Sequence, residues 1–236
     1  MNAEPDPHSG RPVGLPVDGK PAPRPGPVVL EGRYGRVEKL DVARDGASLW
    51  QAVRGEANND LWPYMGYGPF ADEKAFAAWL AERPALEDPY SYAIIDRSGQ
   101  AVGIATLMEI RPAMRVIEVG HIVYTPLLQR TPLGTEAQYL LAKYIFETLG
   151  YRRYEWKCNA LNAPSRRAAQ RYGFTFEGVF RQHMIIKGRN RDTAWFSILD
   201  SEWPARKLAF ESWLNPDNFD KDGRQKQSLA ALNAVK

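Results

Sequence analysis

The 236-residue sequence predicts a single α+β domain, with helices flanking a largely antiparallel mixed sheet, and three features point to it. Segments of strand and helix pattern are intermixed along the chain rather than strictly alternating. Apolar runs between Ser91 and Tyr124 follow one another with short polar breaks, as in a three-strand meander. The stretch from Ile117 to Leu149 reads as buried strand, then loop, then amphipathic helix.

Composition bounds the possibilities. The length suits one ordinary domain with a tail or two, and a core of that size needs no covalent staples. A hydrophobic fraction of 44%, a charged fraction of 25% and a formal charge of +3 describe a globular protein and are too mild to indicate a nucleic-acid partner. The distribution says more: ten Lys or Arg stand against only Glu155 and Glu177 between Gly150 and Arg191. That surplus is either a solvated basic face or a site for a polyanionic small ligand. Cys158 is the single cysteine, so a disulfide within the chain is excluded and a reducing compartment fits. Its setting, YEWKCNA, suggests a small hydrophobe packed near a strand end rather than a nucleophile. No apolar run approaches the roughly 18 residues that span a bilayer. The N-terminus lacks a hydrophobic signal core, so a cytoplasmic location and no membrane partner are expected.

Taken in order, residues 1–29 hold eight of the eighteen prolines and few large apolar side chains, which predicts a disordered or extended leader. A domain over 30–200 follows, then a C-terminal helix and polar tail over 201–236. Within the domain, RYGRVEKLDV alternates apolar and polar residues as a first strand does. The spacing of Ala47, Leu49, Trp50 and Val53 suits a helix from Ala43. The next segment, NNDLWPYMGYGPFAD, carries more large apolar residues than a solvated loop uses, so Trp62, Tyr64, Met65, Tyr67 and Phe70 are candidates to wall a substrate pocket or to pack on the core. Asp72 is a plausible N-cap for a helix through Ala81. A hairpin turns at Arg97–Gln100, and the strand with Glu118, Gly120 and Tyr124 completes the meander. After the helix of the central stretch, Gly150 supplies a stop and RYEWKC a strand. NAPSRRAAQRYGF gives a short helix capped near Asn162 or Ser165 and ended by Gly173. The run from Thr175 to Leu199 reads as a hairpin turning around Gly188 and Asn190. A helix from Ser201 to Trp213 then precedes a polar end expected to wrap loosely or fray.

A helix that starts just after a strand aims its free N–H groups and positive dipole end at the strand's carboxyl edge, where an anion can dock. Here that corner is Gln129-Arg130-Thr131-Pro132-Leu133-Gly134-Thr135. Glu118 and His121 lie on the strand before it. Alternation sends them to opposite faces, so at most one is expected to face a substrate.

Gly120 to Tyr124, the loop Gln129–Gly134, Thr135-Glu136-Ala137, Asn162-Ala163-Pro164-Ser165, Gly173-Phe174, Glu177-Gly178 and Asp192 together resemble the GNAT N-acetyltransferases. Within them, the pattern is similar to the ribosomal-protein acetyltransferases of the RimJ/RimL kind. The match runs from about Tyr34 to Leu199 and leaves out the leader and the tail. It implies a splayed sheet and acetyl-CoA as acetyl donor, with no metal. It further implies that Ile122, Val123 and Tyr124 pair with the pantetheine arm. Gln129, Arg130, Thr131, Leu133, Gly134 and Thr135 would then receive the phosphates. The family loop, Gln/Arg-x-x-Gly-x-Gly/Ala, has a glycine where Pro132 stands here, and proline offers no N–H. The tyrosine that many members place four residues before Gly-Phe is here Ala169. The ribosomal-protein branch uses the serine of Asn-x-x-Ser, which implies Ser165 as proton donor to the departing thiolate and Asn162 as a pantetheine ligand. Glu118 and His121 are then candidates to relay the amine's proton, with His121, Trp62, Tyr64 and Met65 on the acceptor side. Arg166, Arg167 and Arg171 are candidates for CoA phosphates or plain solvated charges.

The leading function is therefore acetyl transfer to a primary amine, either a small molecule or a protein N-terminus. A binding or regulatory module with the same fold and no turnover is the alternative, motivated by Pro132 and Ala169. An RNA-binding role lacks any recognised RNA module. Oligomeric state is open between monomer and dimer.

Overall fold

The computed structural model describes residues 3–234. Two short strands, β1 (Ala3–Pro5) and β2 (Pro12–Gly14), pair with each other in the leader. The chain then runs along the body of the protein, where Ala22 is buried and its N–H bonds Pro112 O at 3.1 Å. Gly26 is held on both sides, its N–H by Tyr144 Oη (3.1 Å) and its carbonyl by Tyr92 Oη (3.0 Å). Strands β3 (Val29–Glu31) and β4 (Gly35–Lys39) follow, then α1 (Val42–Val53) and α2 (Glu73–Ala81). Asp41 and Asp72 cap these helices through side-chain bonds to Arg44 N (3.0 Å) and Ala75 N (2.8 Å).

The meander comprises β5 (Tyr90–Asp96), β6 (Ala101–Arg111) and β7 (Val116–Tyr124), followed by α3 (Pro132–Lys143). Then come β8 (Arg153–Asn159), α4 (Ala163–Arg171), β9 (Thr175–Ile186) and β10 (Arg189–Leu199), and finally α5 (Trp203–Leu214) and α6 (Leu229–Ala234). Eight strands make one sheet in the order β3-β4-β5-β6-β7-β8-β10-β9, with β7–β8 its only parallel pair among the described residues. Because β-strand side chains alternate, the sheet sorts its residues onto two faces. Ala93, Ile95, Ala101, Ile104 and Val123 pack under α1 and α2, while Tyr92, Ile94, Ala105, Ile117 and Val119 pack against α3 and its neighbours. Among the described residues no helix is long and apolar enough to cross a membrane.

The polar tail does not fray. Leu229 of α6 is fully buried, and Asn233 donates to Arg171 O (3.0 Å) and accepts from Arg206 through its carbonyl (2.8 Å). A few well-placed apolar and amide groups suffice to dock a stretch that is mostly polar.

Glu136 ties α3 to the first hairpin. Its buried carboxylate accepts the backbone N–H groups of Arg33 (2.6 Å) and Tyr34 (2.7 Å). Charged acceptors of this kind contribute about 1.5 to 3 kcal/mol per bond. Glu136→Ala strands both donors and is expected to lower unfolding stability by about 2 kcal/mol, read as a urea midpoint shift at unchanged slope.

Candidate active site

Strand β7 runs parallel to β8 over Val116–Val119, paired with Arg153–Trp156, and the pairing ends there. Past that point β7 stays hydrogen-bonded only to β6, as far as Tyr124 opposite Gly103, while β8 continues against β10 to Asn159. The two strands therefore part after Val119 and Trp156, and the β8-side edge of Gly120–Tyr124 has no ladder partner. Unpaired strand edges bind extended chains through their free N–H and C=O groups.

A bulge sharpens this fork. Ile104 pairs with Val123 and Thr106 with Gly120, so His121 and Ile122 together oppose Ala105. His121 takes a left-handed φ of 46°, and its ring lands on Tyr67, stacked at 5.5 Å with Nδ1 3.3 Å from Tyr67 Oη. Tyr67 in turn packs at a tilt against Trp79 of α2, with ring centroids 4.5 Å apart. Strict alternation would have sent His121 to the face opposite Glu118. The bulge breaks that alternation, and both side chains stand on the α1–α2 face. Burial, with Arg83 and Arg191 nearby, pushes the His121 pKa down, which keeps the ring neutral near pH 7.

Glu118 is buried at the fork, with Lys157 Nζ 2.8 Å from its Oε2. The contact is close but poorly aligned for a hydrogen bond, since Oε2 has no hydrogen-bond partner by direction. Lys157 also reaches Glu155 Oε2 at 3.4 Å and lies over the Trp195 ring at 4.0 Å. Glu155 is fully engaged by Arg111 (2.5 Å) and Arg153 (2.7 Å). Desolvation raises the Glu118 pKa to about 7, against the pull of Lys157. A carboxyl poised near neutral pH suits proton transfer.

Ser165 stands at the same fork on the opposite face. It lies in the first turn of α4, where Asn162 Oδ1 caps its N–H at 3.1 Å, and Trp156 Nε1 lies 3.0 Å from its Oγ. An indole N–H can only donate, so the Ser165 oxygen accepts and its own proton remains to be given elsewhere. Cys158, two residues beyond Trp156 on the same face, is buried, and burial pushes its thiol pKa up. It behaves as a packed core residue.

The loop before α3 is an anion corner with fewer free donors than its sequence offers. Thr131 caps the helix, accepting from Gly134 N (3.2 Å) while donating to Leu128 O (2.7 Å). Gln129 Nε2 bonds Tyr124 O at 2.8 Å, and buried Thr135 Oγ1 accepts from Arg171 Nη1 at 3.0 Å. Pro132 brings no N–H, so the amides of Arg130 and Leu133 and the exposed Arg130 side chain are the groups left for an outside anion. The Leu133 side chain is core, and the Tyr124 hydroxyl is spent on Gly134 O (2.9 Å). Thr131→Ala removes the cap and is expected to cost about 1 kcal/mol of stability, read from thermal melts. Of the three arginines on or near α4, Arg171 reaches this corner, whereas Arg166 bonds Ala160 O at 3.2 Å.

The aromatic loop closes the acceptor side. Trp62 is 2% exposed and belongs to the core with Phe70 and Phe76, so it supports the wall rather than lining it. Met65 is half-buried against the same cluster. Tyr64 Oη reaches Leu161 O at 3.2 Å, and Lys187, at the β9–β10 turn, bonds the carbonyls of Trp62 (3.0 Å) and Gly68. The loop thus bridges from α1–α2 to both sides of the parted strands. Tyr67 was legible as one of the aromatic-loop candidates, whereas Lys157, Trp156 and Arg191 were not legible as site residues, and only the basic surplus hinted at two of them.

Comparison with known proteins agrees with this geometry. Residues 44–175 match the model of the acetyltransferase (GNAT) domain. YdaF of Bacillus subtilis (strain 168), whose name assigns it by inference to the ribosomal N-acetyltransferases, is 25% identical over 155 residues, 58% of this chain and 84% of that one. A GCN5-related N-acetyltransferase from Brucella melitensis superposes with a TM-score of 0.89 at 49% identity, covering 91% of this chain and 97% of that one. The ribosomal-protein-S5-alanine acetyltransferase of Vibrio fischeri shares the fold, with a TM-score of 0.60 at 17% identity over 75% of this chain and 98% of its own. With a family model spanning more than half its length, the chain belongs to the GNAT acetyltransferases.

Proposed function

We propose that the protein transfers the acetyl group of acetyl-CoA to a primary amine, on a small molecule or a protein N-terminus, by direct attack within a ternary complex. One observation carries this reading: where β7 and β8 part, a carboxyl poised near pH 7 faces one side of the gap and a hydroxyl that accepts from Trp156 faces the other. The residues present fit the donor. The open edge of Gly120–Tyr124 suits the amides of an extended pantetheine, with Ile122, Val123 and Tyr124 contributing backbone groups. Asn162 keeps its Nδ2 free while Oδ1 caps the helix. The amides of Arg130 and Leu133, the Arg130 side chain and the dipole of α3 suit the phosphates.

Acetyl-CoA supplies an activated thioester whose carbonyl oxygen gains negative charge on attack. A fixed strand N–H aimed at that oxygen favours the charged form over the ground state. Glu118 takes the amine proton, directly or through water, and Ser165 returns one to the thiolate. His121, neutral and held on Tyr67, shapes the acceptor side along with Tyr64 and Met65.

Thermal melts and thiol release test the reading together. CoA should raise the melting temperature, less so in Arg130→Ala, and acetyl-CoA with a panel of primary amines should release free thiol. Failure of both CoA and acetyl-CoA to stabilise the protein at millimolar concentration would overturn the assignment of the loop. Stabilisation without thiol release from any amine would favour the binding-module alternative that Pro132 raises.

A further inference from the structure

We infer that the acceptor carries a carboxylate a few atoms from its reacting amine, and that Arg191 binds it; this rests on the acetyltransferase reading above. On the face that holds Glu118, the cations around the fork are engaged. Arg111 and Arg153 hold Glu155, and Arg153 also holds Glu177. Lys157 is shared between Glu118 and Glu155, Lys187 caps two carbonyls of the aromatic loop, and Arg83 pairs with Glu82 at 3.0 Å. Arg191 differs. Among the described residues it has no carboxylate within 4.0 Å, and its one side-chain hydrogen bond runs from Nε to Thr193 Oγ1 at 3.2 Å.

Both terminal nitrogens of this half-buried guanidinium are therefore left for a ligand. Surface arginines lose little by standing alone, but this one is partly desolvated, and burial pushes its pKa down. Removing a cation from water without a partner is unfavourable, and a bound anion is the group that offsets it. The planar fork of arginine matches a carboxylate in two parallel hydrogen bonds.

Position identifies whose anion this is. Arg191 pairs with Met184 across the hairpin and stands two residues before Thr193, where the β10–β8 ladder begins, at the open end of the fork. Its side chain shares the face of Thr193 and Trp195, and Trp195 lies against Lys157. Arg191 lies within electrostatic reach of the Cys158 thiol, of Glu118 and, with Arg83, of His121. The phosphate corner instead lies at the start of α3, with Arg171 and Thr135, on the other face of the sheet. Glu118 and Arg191 are near neighbours of opposite charge that do not touch. An amine held toward Glu118 and a carboxylate toward Arg191 would complete both, which is the charge pattern of an amino acid or of a peptide N-terminus with an acidic second residue.

The test uses the full-length protein and matched acceptors: free α-amino acids beside their carboxamides, and short peptides beginning Ser-Glu or Ser-Gln with amidated C-termini. Thiol release should favour the carboxylate member of at least one pair set by about 10- to 100-fold in kcat/KM. The preference should collapse in Arg191→Met and return in part in Arg191→Lys, without movement of the KM for acetyl-CoA. Which set shows the preference tells a free amino acid from a peptide. Calorimetric binding to the CoA-loaded protein gives a readout independent of turnover and of each variant's activity. Equal rates and affinities for carboxylates and carboxamides, a preference surviving in Arg191→Met, or no carboxylated amine binding at millimolar concentration would each overturn the inference. Loss of CoA binding itself would instead overturn the acetyltransferase reading.

Discussion

Replacing Ser165 with alanine is expected to lower kcat by about two orders of magnitude or more, the usual contribution of a placed general acid. The KM for acetyl-CoA should barely change, because the helix cap at this position uses the Ser165 backbone N–H and Asn162 Oδ1, neither of which is altered. The hydroxyl accepts from Trp156 Nε1 at 3.0 Å, so its proton points away from the indole and is available to a thiolate. That same indole bond stabilises the oxygen as it loses the proton, which makes the serine a better acid than one in water. Alanine leaves the buried indole N–H without an acceptor, so stability should also fall by about 1 to 3 kcal/mol. The two effects separate in experiment: steady-state thiol release reads the chemistry, and urea unfolding reads the indole. Unchanged kcat with reduced stability would leave Ser165 a structural acceptor and nothing more.

Local pattern carried most of the fold. Asp72 and Asn162 were readable as caps because short polar side chains before an apolar period have one common use, and both make that bond. The meander and the last hairpin followed from apolar runs broken by turn residues. What stayed hidden depends on pairings between distant positions. The bulge at His121 is announced only by the isolated Gly120 before it, a weak signal that the period-two pattern overrides, and the register against Ile104 and Thr106 reveals it. Without the bulge, period-two reasoning parts Glu118 from His121; with it, both meet the aromatic loop. The partnership of Glu118 with Lys157 spans the one parallel crossover and needs the register of Val119 on Trp156, which no window along the chain contains. Thr131 and Thr135 were legible as polar groups at a helix start, but not as groups already committed to Leu128 and Arg171. The same limit hid Arg191, since its significance lies in the partner it lacks.

Glu118→Gln is expected to lower kcat/KM at pH 8 by about 10² to 10³ and to remove one limb of its pH profile. In the wild type that limb should rise through pH about 7, where Glu118 loses its proton and becomes able to take one from the amine. Deprotonation of a typical acceptor amine contributes a separate rise nearer pH 8 to 10 and should persist in the variant. Stability supplies an independent check with a definite sign. Burial raises the Glu118 pKa from 4.5 to about 7, so the folded protein binds this proton more tightly than the unfolded chain does. Its contribution to stability is therefore fully present below pH 4.5 and is lost as pH rises through 7. Glutamine has no such proton, so melting temperatures of Glu118→Gln should fall less between pH 5 and 8 than those of the wild type. Lys157 retains Glu155 at 3.4 Å in the variant and is not left isolated. A wild-type rate that is flat from pH 6 to 8, or a glutamine variant of full activity, would move the base to another group on this face, with His121 the nearest alternative at the fork.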